Sequence, residues 1–176
     1  MHLSLDKYQE LGYAYVTEFF TPDEVEFYKQ LMLKARSEGR LTQENDARYY
    51  NKSEGGCTPE FRKALQDKTP IIKELFKLDR IVPESVYARF YYNDSTLHPH
   101  SDRPGLDHTL SVTLYSNLDE PWPLFCLDKN CDQESFDIKP GDGAMVPGTR
   151  IVHWRRPLKC RADQFVIQAF FHWKNT

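Results

Sequence analysis

The residue types best suited to chemistry in this chain gather in the segment Leu97-His98-Pro99-His100-Ser101-Asp102-Arg103-Pro104. His100 and Asp102 are two apart, so on an extended backbone both side chains leave the same face. An imidazole and a carboxylate placed this way occupy adjacent positions on one metal ion. A third ligand must come from elsewhere. Some fifty residues on, the run Arg150-Ile151-Val152-His153-Trp154-Arg155-Arg156 offers His153 in a β-branched, strand-like setting. Two neutral imidazoles and one carboxylate make a facial set that leaves three positions open and suits Fe(II). No cysteine joins them, which argues against structural zinc. A competing H-x-H metal site would use His98 and His100 with a later carboxylate such as Asp107. Asp102 fits better, and Pro99 distorts the strand that the alternative needs. His108 and His172 lack ligand spacing and read as structural.

Residues from about 85 to 173 resemble the catalytic core of the Fe(II)/2-oxoglutarate-dependent oxygenases, most of all the prolyl-hydroxylase-like and phytanoyl-hydroxylase-like branches. The matching pieces are His100-x-Asp102, Pro140-Gly141-Asp142, His153 and the closing aromatic run from Gln164 to Phe171. Gly12-Tyr13-Ala14-Tyr15-Val16 followed by a Thr-Pro-capped helix also resembles how these enzymes begin. The resemblance implies a double-stranded β-helix (jelly roll) with His100, Asp102 and His153 as metal ligands. It implies Fe(II), 2-oxoglutarate as co-substrate and O₂, with ascorbate as reductant, and release of succinate and CO₂ as a C–H bond is oxidised. A carboxylate at Asp102 disfavours halogenation, so hydroxylation is the default, with desaturation and ring closure left open. Two alternatives stand beside it: a non-catalytic or sensor jelly-roll metal-binding module, and a cupin-type metalloenzyme that uses no 2-oxoglutarate.

The distal carboxylate of 2-oxoglutarate needs a cation, ideally the fork of an arginine. Here the chain departs from the family pattern, which puts an Arg or Lys, the cations that grip carboxylates, roughly ten residues after the distal His. This chain has Asp163 at that spacing. Arg155 shares the face of His153, about 7 Å along an extended strand. Arg161 precedes the last strand, and Arg103 follows the Asp ligand into a Pro-Gly turn; all three are candidate anchors, with Arg89 a weaker one. In the alternating run Tyr87-Ala88-Arg89-Phe90-Tyr91-Tyr92, Tyr87, Arg89 and Tyr91 share a face, and Tyr91 is a candidate hydrogen-bond partner for a carboxylate oxygen. Trp122 and Trp154 read as packing residues. The polar segment 40–57, with Arg48, Tyr49, Tyr50 and Gly55-Gly56, reads as a loop and a candidate substrate lid.

The elements that must position these residues divide the chain. Leu5 to Leu11 predicts a short helix and 13–17 a strand. Thr21-Pro22 with Glu24 predicts a capped helix closing at Gly39. Thr58-Pro59 and Thr69-Pro70 predict two further helix openings. From about residue 83 the pattern turns to short strands, at 85–92, 109–115, 123–127, 134–139, 143–147, 150–156 and 164–173. Helices first and strands later predict an α+β fold: one domain over 1–176, with 1–82 mainly helical support and 83–176 the metal-bearing core.

Composition agrees and excludes. At 176 residues, 40% hydrophobic and 28% charged, the chain reads as one soluble globular domain. A net charge of −3 argues against nucleic acid or an anionic membrane as main partner. No run approaches the roughly 18 apolar residues of a membrane span, and no secretory signal is visible. Four cysteines without a C-x-x-C pair suit the reduced cytoplasm. The small size favours a small-molecule substrate, with a peptidyl one left open.

Overall fold

In the computed structural model, which describes residues 5–43 and 53–176, the chain runs α1 (Leu5–Leu11), β1 (Ala14–Val16), α2 (Pro22–Ser37), β2 (Ser53–Gly56), α3 (Pro59–Phe76), β3 (Ile81–Tyr91), β4 (Leu97–His100) and β5 (His108–Ser116). It continues through β6 (Leu124–Leu127), β7 (Gln133–Phe136), β8 (Gly143–Val146), β9 (His153–Arg155) and β10 (Val166–Asn175). The strands form two antiparallel sheets. The major sheet has the order β1-β8-β5-β10-β3-β2 and the minor sheet β4-β9-β6-β7. This is the jelly-roll, α+β layout expected. Among the described residues no helix is long and apolar enough to cross a membrane.

Local signals placed the helix ends well. The α2 capping box is complete, with Thr21 N–H donating to Glu24 Oε2 at 2.8 Å and Glu24 N–H to Thr21 Oγ1 at 3.3 Å. Two expectations need correction. Thr69-Pro70 does not open a new helix; it lies inside α3, which runs unbroken past it. Pro70 removes one helix hydrogen bond, but the buried stripe Phe61, Leu65, Ile72 and Phe76 holds both halves on one core. Thr69 is buried there as well, its hydroxyl donating to Leu65 O at 2.6 Å and accepting Trp173 Nε1–H at 2.8 Å. The other correction concerns Gly55-Gly56, which form part of β2, paired with β3, rather than a loop. Pairing at a sheet edge overrides their weak strand propensity. A Cβ on Gly55 would also stand 2.6 Å from Arg89 Cγ. The lid residues Arg48, Tyr49 and Tyr50 lie outside the described residues.

The two faces of the major sheet differ in kind. Val86, Ala88, Phe90, Leu110, Val112, Leu114, Ile167, Ala169, Phe171 and Trp173 point to the helices and form the main core with Phe19, Phe20, Met32 and the α3 stripe. The alternate positions face the minor sheet, and many of them are polar although buried: Arg89, Thr109, Ser111, Thr113, Gln168 and His172. A buried sheet face rich in hydroxyl, amide and guanidinium groups marks the inside of a pocket, since apolar packing alone disfavours it.

Candidate metal centre

β4 and β9 lie side by side in the minor sheet, and their register sets His100 directly opposite His153. The two rings stand 4.4 Å apart between centroids. Asp102, just past the end of β4, brings Oδ1 to 3.5 Å from His100 Nε2 and 3.6 Å from His153 Nε2. One ligand atom from each of the three falls within 4.8 Å of the others, the one cluster among the described residues able to hold an ion. His98 is exposed and outside it.

Each imidazole is oriented by its own backbone. His100 Nδ1 sits 2.8 Å from His98 O and His153 Nδ1 sits 3.0 Å from Ile151 O. A carbonyl only accepts, so Nδ1 carries the proton in both rings and Nε2 presents its lone pair to the shared space. Burial pushes the His153 imidazole below the usual histidine range, against the pull of Asp102, and keeps it neutral as a metal ligand must be. Burial alone would raise the Asp102 carboxyl. The contacts with His100 and His153, when those rings take up a proton at Nε2, and the hydrogen bond from the Thr109 hydroxyl outweigh it and hold the carboxyl below the usual range. Two facing nitrogen lone pairs and a retained carboxylate charge are the donor set that Fe(II) takes.

Of the candidate cations, the structure brings Arg155 inward and leaves Arg161 and Arg103 outside. Arg155 is 2% exposed and stacks over the Trp122 ring at 4.8 Å. It donates from Nη1 to Trp122 O and from Nη2 to Gln168 Oε1, the latter at 3.3 Å. Among the described residues its buried Nε–H has no partner, and no carboxylate reaches it within ion-pair distance. Burial holds its pKa down to about 10, so it still carries its charge at neutral pH. Arg161 is exposed and ion-paired with Asp119 and Asp163. Arg103 is exposed and donates to Pro104 O at 3.3 Å. Tyr91 is buried with its ring 5.0 Å from Trp122, beside Arg155. Arg89 lies on the same inner face and donates to Ser53 Oγ at 2.9 Å. A cavity of about 360 Å³ opens against this end of the sheets, with Thr113, Trp122, Val166 and Gln168 in its wall.

Several residues around the site were not singled out in the sequence. Thr109 bonds Asp102, Gln168 receives Arg155, and Gly148 closes on Asp102. His172, read as structural, faces the inside opposite Thr109, with Nδ1 3.1 Å from Ser85 Oγ. Trp122, read as packing, is the floor beneath Arg155. A signal for the strand residues was present: Thr109, Ser111 and Thr113 recur at period two, and Gln168 and His172, four apart, share one face of an otherwise apolar run. Gly148 reads only as part of a Pro-Gly turn until Asp102 is seen against it.

Among known proteins, no family model and no curated protein matches this chain. Solved structures do. A Pseudomonas putida prolyl-4-hydroxylase superposes with a TM-score of 0.72 at 13% identity, covering 96% of each chain. The non-heme alpha ketoglutarate dependent carbocyclase SnoK from nogalamycin biosynthesis gives 0.78 at 12% identity, over 98% of this chain and 83% of that one. HygX from Streptomyces hygroscopicus, solved with nickel, 2-oxoglutarate and hygromycin B bound, gives 0.72 at 13%, over 98% and 86%. Identities this low speak for the backbone rather than the chemistry: the chain has the jelly-roll fold of the Fe(II)/2-oxoglutarate oxygenases.

Proposed function

We propose that the chain is an Fe(II)- and 2-oxoglutarate-dependent dioxygenase that oxidises, by default hydroxylates, a C–H bond of a small molecule. The observation that carries this is the pairing of two features on one strand. His153 joins His100 and Asp102 in a three-ligand cluster. Two residues on, Arg155 lies buried without a carboxylate partner among the described residues. A buried guanidinium is costly unless an anion completes it, and about 7 Å of strand between the two residues is the span of a five-carbon dicarboxylate.

His100, Asp102 and His153 would hold the metal. Fe(II) with 2-oxoglutarate supplies the activation of O₂, with succinate and CO₂ as co-products. The chain's own contribution is placement. Arg155, backed by Gln168 and Trp122, orients the distal carboxylate of the co-substrate, and Tyr91 closes the same wall. The apolar core behind the major sheet keeps water from the rear of the site. Arg155 also answers the missing basic residue at the family's usual spacing, because it brings the charge from β9 rather than from the closing strand. The prolyl-4-hydroxylase, SnoK and HygX serve as fold precedents for this chemistry on different substrates.

The test is succinate formation from 2-oxoglutarate with Fe(II) and ascorbate, in wild type and in His153→Ala. Metal-dependent succinate release that disappears in the variant is expected. If anaerobic Fe(II) plus 2-oxoglutarate gives no metal-to-ligand absorption band with the wild type, the proposal fails.

A further inference from the structure

The two oxygens of Asp102 meet their surroundings differently. Oδ1 faces His100 and His153, as described, while Oδ2 accepts the Thr109 hydroxyl proton at 2.5 Å. The turn after β8 closes over this second contact. A Cβ on Gly148 would stand 2.2 Å from Oδ2, 2.5 Å from Thr109 Oγ1 and 2.6 Å from Leu106 O. Gly148 O also accepts the Asp102 backbone N–H at 2.8 Å. Thr109 itself cannot drift, since it pairs with Val146 on β8 and with His172 on β10. The carboxylate is therefore pinned at its backbone and at one oxygen. A carboxylate free to turn can bind a metal through both oxygens and take up a further coordination position.

We propose that Thr109 is a positioning residue for the metal centre, holding Asp102 to attachment through Oδ1 alone and so keeping three coordination positions open. It touches neither metal nor substrate and acts through Oδ2. The inference rests on the Fe(II) reading above.

Three variants test it. Thr109→Val is nearly isosteric and lacks the donor, Thr109→Ala lacks it without the bulk, and Thr109→Ser keeps it. Fe(II) alone is the probe, by anaerobic equilibrium dialysis. The visible ligand-field spectrum of the Co(II)-loaded protein reports the coordination sphere. Loss of a partner that orients a ligand weakens metal binding about 10–100-fold, so Val and Ala should fall in that range, with Ser within about threefold of wild type. The Co(II) bands should move in Val and Ala and return in Ser, which a general loss of stability would not produce. A Val or Ala variant that is folded by circular dichroism and keeps wild-type Fe(II) affinity and Co(II) bands overturns the role of Thr109. A wild type with no Fe(II) affinity overturns the metal reading itself, a separate outcome.

Discussion

Replacing Arg155 by Met should cost the protein its affinity for 2-oxoglutarate while leaving the fold about as stable as before. On the binding side, removing one member of a buried charge pair costs about 3–5 kcal/mol. At about 1.4 kcal/mol per tenfold, that weakens co-substrate binding by roughly 10²- to several 10³-fold. On the stability side the contributions nearly cancel. Burial lowers the Arg155 pKa from its ordinary value to about 10, an unfavourable contribution of about 3 kcal/mol. Because the folded form binds this proton less tightly than the unfolded chain, the cost is fully present below about pH 10 and fades only as pH rises above it. Met removes that cost. It also gives up two hydrogen bonds, to Trp122 O and Gln168 Oε1, at about 1 kcal/mol each. The stack on Trp122 contributes about 1 kcal/mol more. The melting temperature without co-substrate should therefore stay within about 4 °C of wild type. The assay is an anaerobic titration of the Fe(II) protein with 2-oxoglutarate, followed by its metal-to-ligand absorption, beside thermal melts. Binding within about fivefold of wild type, well under one buried charge pair, would show that the distal carboxylate lies elsewhere.

Three further outcomes follow from other contacts. Gly148→Ala forces a methyl group onto Asp102 and Thr109, so it should destabilise by about 1–3 kcal/mol and weaken Fe(II) binding at least about tenfold; melting and dialysis indistinguishable from wild type would refute the close approach. Arg161→Ala removes only exposed ion pairs with Asp119 and Asp163, so 2-oxoglutarate affinity should change by less than about twofold; a large loss in the same titration would make Arg161 the anchor. His108 is buried between the Tyr8 hydroxyl, which donates to Nδ1, and Asn175 Oδ1, 3.0 Å from Nε2. Burial holds its imidazole below the usual range, so the unfolded chain takes up the proton first and stability falls as pH drops through about 6.5. In His108→Gln, melting temperature should fall less between about pH 7 and pH 5; an unchanged fall assigns the acid sensitivity to other groups.

Much of this was legible in the residues because it depends on local period and local chemistry. The Thr21–Glu24 box states its own helix start, and the spacing of His100 and Asp102 gives a shared face wherever the backbone is extended. The polar alternation of β5, and the shared face of Gln168 and His172 in β10, were also there to be read. The corrections fall where a distant partner outweighs a local signal. Trp173, about a hundred residues away, bonds Thr69 at the point where Pro70 signals a break, and the edge of β3 recruits two glycines into β2.

The sequence by itself determined which residue types stand ready for a metal, that His153 and Arg155 share a face if their segment is a strand, and where the helices begin. It left several arginines as candidates, because parity and spacing say nothing about what lies across a pocket. Only the tertiary structure decided among their surroundings: Arg155 is sealed between Trp122 and Gln168, while Arg161 and Arg103 remain in solvent. It alone set His100 opposite His153 and brought Thr109 and Gly148 against Asp102. The physical reason is that burial and through-space contact are properties of the packed sheets, whereas period and capping belong to the chain before it folds.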